Sequence, residues 1–445
     1  MLPTSDHYWL LNAHVPVCLL AGNRPEITAQ QNADGLALVD LEIQAGLVRS
    51  IQLARSRPNP NQETSPLPSL DLRGGQVWPC FVDIHTHLDK GHIWERATNP
   101  DGTFASALTT VEKDAAQHWD LEDVYRRMEF GLKCSYAHGT RAIRTHIDAI
   151  GEFSQQSFEA FRLLQQEWRD RLILQAVCLA PLEMFLTPEG EALADKIAGL
   201  GGVLGGFAPV HPELDAQLDR VFVLAQERGL NLDFHTDETD DPASKTLRQV
   251  AAAALRHDFK GQIVCGHCCS LAVQDPAEVA ETLNLVQQAQ IGIVSLPLCN
   301  LYLQDRVPER TPRWRGVTLL HELRQQGIPV AIASDNCRDP FHGFGDHDCL
   351  EVFTLSTKIA HLDRPYGDWP RAIATTPADL MQLPEVGRIG AGLPADLILF
   401  RGRTFSELLS RSQHDRVVVR SGRAIDTTPP DYAELDHLRG FTEIC

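Results

Sequence analysis

The stretch "FVDIHTHLDK" sets His85 and His87 two positions apart at the end of an apolar run. Side chains two apart on a strand share a face, so the pair can reach a single ion. Alone, an H-x-H is more often a surface or hydrogen-bonded pair. Here other apolar runs also end on polar residues: His235 closes "LNLDFH", His267 closes "QIVCGH" and Asp335 closes "PVAIASD". His85, His87, His235 and the Asp335 carboxylate form a nitrogen–oxygen set suited to one divalent ion, Zn²⁺ or Fe²⁺, with a place left for water. Such an ion lowers the pKa of water towards neutrality, so hydrolysis is the expected chemistry. Glu238 follows His235 by three in "FHTDETDD". It is either a general acid/base beside the ion or one solvated member of the acidic run Asp237, Glu238, Asp240 and Asp241.

Other patterns carry less. "CGHCC" holds one C-x-x-C, Cys265 to Cys268, with no second pair for a zinc knuckle, so these read as small buried thiols flanking His267. The H-x-E with P-C-x-x-C pattern of the cytidine-deaminase type of zinc site is missing. No candidate strand end carries a lysine that could be carbamylated to bridge two metals.

These residues need a scaffold that gathers strand ends. Eight apolar strand candidates recur: "VWPCFVDI", "RAIRTHI", "LILQAVCL", "GVLGGFAPV", "LNLDFH", "QIVCGH", "IGIVSLP" and "PVAIASD". Amphipathic helices separate several of them. In "ELDAQLDRVFVLAQERG", Leu214, Leu218, Val221, Phe222 and Ala225 fall on one helical face, and Gly229 ends the helix. Gly139 and Gly327 stand likewise before their strands. Eight strands alternating with helices predict a (β/α)₈ TIM barrel over residues 79–384, with its active site at the C-terminal strand ends. Residues 1–78 and 385–445 carry short alternating runs, "LALVDLEIQAGLVRSIQLA" at one end and "LPADLILF" with "DRVVVRSGRAI" at the other. They predict one small β-sandwich-like domain made from both chain ends, with a loop at "SRPNPNQETSPLPS".

The bulk composition narrows the partners. The 445 residues, 43% hydrophobic and 22% charged, suit a soluble enzyme. A formal charge of −19 repels nucleic acid and anionic membranes, so neither is expected as a partner. The N-terminal "MLPTSDHYWLLNAHVPVCLLAG" reads as strand rather than as a secretory signal, and no apolar stretch is long enough to span a bilayer. Eleven scattered cysteines suggest reduced thiols in a cytoplasm.

With these residues assembled, the chain resembles the amidohydrolase superfamily, most closely its cytosine deaminase branch. The resemblance runs through nearly the whole chain and is carried by "FVDIHTHLDK", "IRTHID", "LDFHTDETDD", "CGHC", "LPLCNLYLQDR" and "ASDNCRDPF". It implies metal ligation by His85, His87, His235 and Asp335, a proton shuttle at Glu238, and a hold on the attacking hydroxide by His267. The implied reaction is hydrolytic deamination of an exocyclic amine on a small amidine-like heterocycle, with Asp335 accepting a proton from the attacking water. Cytosine or a related pyrimidine is the first substrate expectation. Isocytosine, creatinine, a pterin or an aminotriazine are alternatives, and opening of a cyclic amide ranks lower. The branch also implies a homo-oligomer. Recognition departs from the cytosine pattern: Leu182 replaces a glutamine that reads the pyrimidine edge, Asn336 replaces an acid beside the metal aspartate, and Phe341 keeps an aromatic wall.

Overall fold

The computed structural model describes residues 2–54, 67–151 and 153–438. Most of the loop expected at "SRPNPNQETSPLPS" lies outside the described residues. The chain divides into two compact units: residues 1–82, 135–142 and 348–429 in one, and 83–134, 143–347 and 430–445 in the other. Residues 348–384, assigned to the barrel on sequence, thus fall in the first unit.

In the first unit, β1 (His7–Pro16), β2 (Leu36–Gln44), β3 (Leu47–Leu53) and β4 (Ser69–Asp71) form a sheet in the order β3-β2-β1-β4. Ala45 and Gly46, both at positive φ, make the two-residue turn between β2 and β3. The β1–β2 and β2–β3 pairs are antiparallel, whereas β4 runs parallel to β1. Strand β5 (Val77–Pro79) belongs to a second sheet in this unit. There it pairs with β14 (Leu397–Leu399), which is followed by β15 (Val417–Arg420) and β16 (Arg423–Ala424). Residues 77–79 and 397–399, from the two ends of the chain, thus share a sheet. Alternate residues Val39, Leu41 and Ile43 point into one core with Leu10, Val77, Leu397 and Val419.

The second unit is built on eight parallel strands: β6 (Phe81–Thr86), β7 (Thr140–Asp148), β8 (Ile173–Leu179), β9 (Leu204–Ala208), β10 (Leu232–Thr236), β11 (Ile263–His267), β12 (Gly292–Ser295) and β13 (Val330–Ile332). Each coincides with one of the eight apolar runs. Parallel strands are buried on both faces, which is why they read as continuous apolar runs rather than as alternation. They pair as β6-β7-β8 and β9-β10-β11-β12-β13. Single parallel bridges, Val177 to Val203 and Pro181 to Phe207 on one side and Thr86 to Asp335 on the other, join the two groups into the α/β barrel. The helix Leu214–Arg228 buries Leu214, Leu218, Val221, Phe222 and Ala225 completely. Gly229 caps it at φ +63, a conformation that costs glycine little. No helix among the described residues is long and apolar enough to cross a membrane.

A buried ion pair ties the first unit together. Arg416 donates to both oxygens of Asp348, at 2.8 and 2.5 Å, and to the His138 carbonyl at 3.2 Å. Burial pushes the Asp348 carboxyl up, but the charge and hydrogen bonds of Arg416, with His138, outweigh it and hold it below the usual range. A depressed folded-state pKa means that the pair stabilises above the unfolded carboxylate value and loses that contribution as the pH falls through the folded one. Asp348→Asn should lower the unfolding free energy at pH 7 by about 3–5 kcal/mol, because it strands a buried guanidinium. Urea unfolding at a series of pH values checks this, with the gap from the parent narrowing on the acid side.

Candidate metal centre and active site

Three of the predicted ligands and their carboxylate converge. His85 Nε2 lies 3.5 Å and His87 Nε2 3.3 Å from Asp335 Oδ1, and the Nε2 atoms of His87 and His235 are 3.4 Å apart. Tetrahedral ligands at about 2.0–2.1 Å from a zinc ion stand roughly 3.3 Å from one another. His85 and Asp335 are wholly inaccessible; neither nitrogen of His85 has a hydrogen-bond partner among the described residues, and the Asp335 carboxyl has only the weak Cys299 thiol. Buried polar atoms left in this state are costly. A divalent cation at their convergence would satisfy them, so the residues present fit the ion.

The backbone explains the convergence. Strands β6 and β13 are neighbours: the Asp335 amide donates to the His85 carbonyl at 2.9 Å, and Thr86 Oγ1 donates to the Asp335 carbonyl at 3.0 Å. Asp335 takes φ +62, which turns its carboxylate back over the strand ends. Asp83 holds that turn by accepting from the Ser334 amide at 3.1 Å and its hydroxyl at 2.5 Å. One layer below the imidazoles, Arg144 on β7 donates to Asp233 on β10 at 2.8 Å. Each is two residues before an inward-facing histidine, and so on the same face.

Burial, then the neighbouring cations and imidazoles, hold His85, His87, His146 and His235 well below the usual histidine range. They are neutral at pH 7, the form that binds metal. Burial pushes Asp335 up to about 8. Burial and then the Asp335 charge push Glu238 well above the carboxylate range. A divalent cation reverses this balance for Asp335, its direct neighbour, and leaves Glu238 able to carry a proton.

Glu238 is not a solvated acid; only 7% of its side chain is accessible. Asp237 anchors the loop that carries it, accepting at Oδ1 from the Thr246 amide at 2.7 Å and at Oδ2 from the Leu247 amide at 3.0 Å. Asn300, on the short helix Pro297–Leu303, donates to Glu238 Oε1 at 3.2 Å and lies 3.0 Å from His267 Nδ1. The Asn300 amide nitrogen can only donate, which favours the His267 tautomer with its proton on Nε2, although Glu238 Oε1 also lies 3.2 Å from Nδ1. His267 Nε2 has no partner among the described residues. His267 also belongs to a ligand-distance group with His85 and Asp335.

The recognition residues are placed less evenly. Asn336 donates to Asp339 at 2.7 Å and is nearly buried. Phe341 lies edge-on to Phe104 at 5.3 Å, with Lys90 Nζ 5.7 Å from its ring. Leu182 is fully buried over Gly206 on β9, in the short helical turn after β8. The cysteines at 265, 268 and 269 are buried free thiols that burial pushes up, as expected of packing residues.

Three site residues went unassigned on sequence. His146 lies near the end of β7, with its ring 3.9 Å from that of His85. Lys90 pairs with Asp148 at 2.6 Å, and its charge reaches His87, His235 and Glu238. Asn300 is the third. His146 follows the same pattern as His235, a histidine at or near the end of an apolar run, and could have been found; Lys90 and Asn300 gave no such signal.

The chain matches the amidohydrolase family over residues 141–425. It is also 47% identical over 439 residues, 98% of each chain, to the pterin deaminase of Rhizobium rhizogenes. The protein belongs to the amidohydrolase family. A further relative of this amidohydrolase is the N-isopropylammelide isopropyl amidohydrolase of Pseudomonas sp., 24% identical over 80% of this chain and 87% of that one. Among solved structures it is similar to 5-methylcytosine deaminase from Klebsiella pneumoniae, at a TM-score of 0.79 and 24% identity, covering 95% of this chain and 98% of that one. The buried histidines and Asp335 of this amidohydrolase form groups that could hold a divalent metal.

If Asn300 fixes the His267 tautomer in this amidohydrolase, Asn300→Leu should lower kcat about 10–100-fold while bound metal stays at the parent level. Steady-state kinetics beside metal analysis checks it; a loss of metal in parallel would place Asn300 in the fold of the centre instead.

Proposed function

We propose that the chain deaminates a pterin: water replaces the ring's exocyclic amino group, giving the oxo ring and ammonia. The observation that carries this reading is the 47% identity to a pterin deaminase across 98% of both chains. Leu182 supports it, because a leucine offers neither donor nor acceptor to the carbonyl edge of cytosine, and an unpaired polar edge costs about 1–3 kcal/mol. Phe341, backed by Phe104 and Lys90, suits the face of a flat bicyclic ring.

In this proposal His85, His87, His235 and Asp335 hold one zinc or iron(II) ion. The ion supplies Lewis acidity and makes water acidic near neutral pH. Asp335 takes the proton that the attacking water sheds. Glu238, whose carboxyl burial pushes up, gives its proton to the ring nitrogen beside the attacked carbon, so no negative charge builds up on the ring. His267 donates from Nε2 to the attacking oxygen and holds it against the carbon. Glu238, left as a carboxylate, then takes the proton of the new hydroxyl and passes it to the amino group; the carbon–nitrogen bond breaks as the ring carbonyl forms, ammonia leaves, and Asp335 returns its proton to Glu238.

Ammonia release by the purified chain, loaded with Zn²⁺ or Fe²⁺, should be fastest from pterin within a panel that includes cytosine, isocytosine and an aminotriazine. Turnover of cytosine without turnover of pterin would overturn the proposal. Glu238→Gln should retain the ion and lose about 10²–10⁴-fold in kcat, since the amide cannot shuttle a proton. Near-parental turnover would remove Glu238 from the mechanism.

A further inference from the structure

A second group of buried ligand-type side chains lies in the catalytic unit, outside the deaminase centre. His92, Cys337 and His347 bring their ligand atoms within 4.8 Å of one another, and each residue is 2% exposed. The Nε2 atoms of His92 and His347 are 3.2 Å apart. That is the edge expected between two nitrogens on one zinc ion, roughly 3.3 Å. A single N–H···N hydrogen bond would account for the two rings, and the His347 amide donates to the Cys337 thiol, which brings the sulfur into the same group.

A Cβ at Gly131, on the helix Leu121–His138, would fall 2.9 Å from Leu88 Cδ2 and 3.0 Å from His347 Nε2, so only glycine lets the His347 ring pack there beside His92. Both histidines take left-handed backbone, φ +63 at His92 and +54 at His347, which non-glycine residues hold only where the surrounding structure enforces it. Asp346 and Asp339 both act on the Cys337 thiol, so the local charge favours a cation. Tyr432 donates to Asp346 at 3.3 Å.

We propose that His92, Cys337 and His347 bind a second, structural divalent cation of borderline softness, with zinc the natural occupant of such a nitrogen and sulfur set. Coordination makes the thiol a thiolate, its proton passing to solvent. The ion would staple the loop after β6 to the loop after β13. Those loops already meet where the His92 amide donates to the Cys337 carbonyl at 3.2 Å and the Trp94 amide to the Arg338 carbonyl at 2.9 Å. They continue the two strands that present His85, His87 and Asp335, so the cation would brace the deaminase centre without touching substrate.

Cobalt(II) separates the two sites, because the deaminase ligands are imidazoles and a carboxylate and only the second site contains sulfur. The full chain, stripped by a chelator and reloaded with Co²⁺, should hold two ions per chain and show a near-ultraviolet thiolate-to-cobalt charge-transfer band. Cys337→Ser should abolish the band and leave one ion, whereas His85→Ala should keep the band and lose the other ion. His347→Asn is the second variant should Cys337→Ser fail to fold, and it too should weaken the band and lower the count. One ion per chain with no thiolate band in the parent protein, or a band that survives Cys337→Ser, overturns the proposal.

Discussion

Asp335 is a carboxylate placed where water cannot reach it, at the junction of β6 and β13 and within 3.5 Å of two imidazoles that burial keeps neutral. Without a cation the arrangement is unfavourable, because these groups have surrendered their hydration for few and weak hydrogen bonds. The rest of the catalytic unit is organised around this debt. Asp83 and Ser334 fix the turn that aims Asp335, and the Arg144–Asp233 pair fills the layer beneath the histidines with charges that neutralise one another.

The same burial explains how one pocket can hold two carboxyl groups in different roles. Asp335 borders the imidazole cluster and is the group that a cation would ionise. Glu238 sits beyond it, pushed up by burial and by the charge of Asp335. Environments that drive two carboxyls apart are the usual means of obtaining acid and base chemistry at one pH. Asn300 links this carboxyl to His267, so proton position and loop position are set by the same amide.

Much of the fold could be read from the chain. All eight barrel strands stand on the apolar runs, because a strand buried on both faces must be apolar throughout. Strand ends were legible too, since His85, His87, His235, His267 and Asp335 interrupt those runs. The acidic run at 237–241 was ambiguous: its members divide between an anchor, Asp237, and a buried acid, Glu238, and only their partners tell them apart. The parallel pairing of β4 with β1 was not foreseen, for three residues of alternation carry no direction.

What the sequence by itself determined is the inventory and its order: strands by apolar period, ligands by type and by position at strand ends, and a solvent-facing charge that disfavours polyanions. Tertiary structure alone decided which of those groups meet. Closure of the ring brought β13 beside β6, about 250 residues apart in the chain, and so gave Asp335 to His85 and His87. Closure also put His146 against His85, Lys90 beside Asp148 and Asn300 between Glu238 and His267. Local pattern reports whether a side chain is buried, because burial has a period. It cannot report who the neighbour is, because that depends on distant strands arriving at the same place.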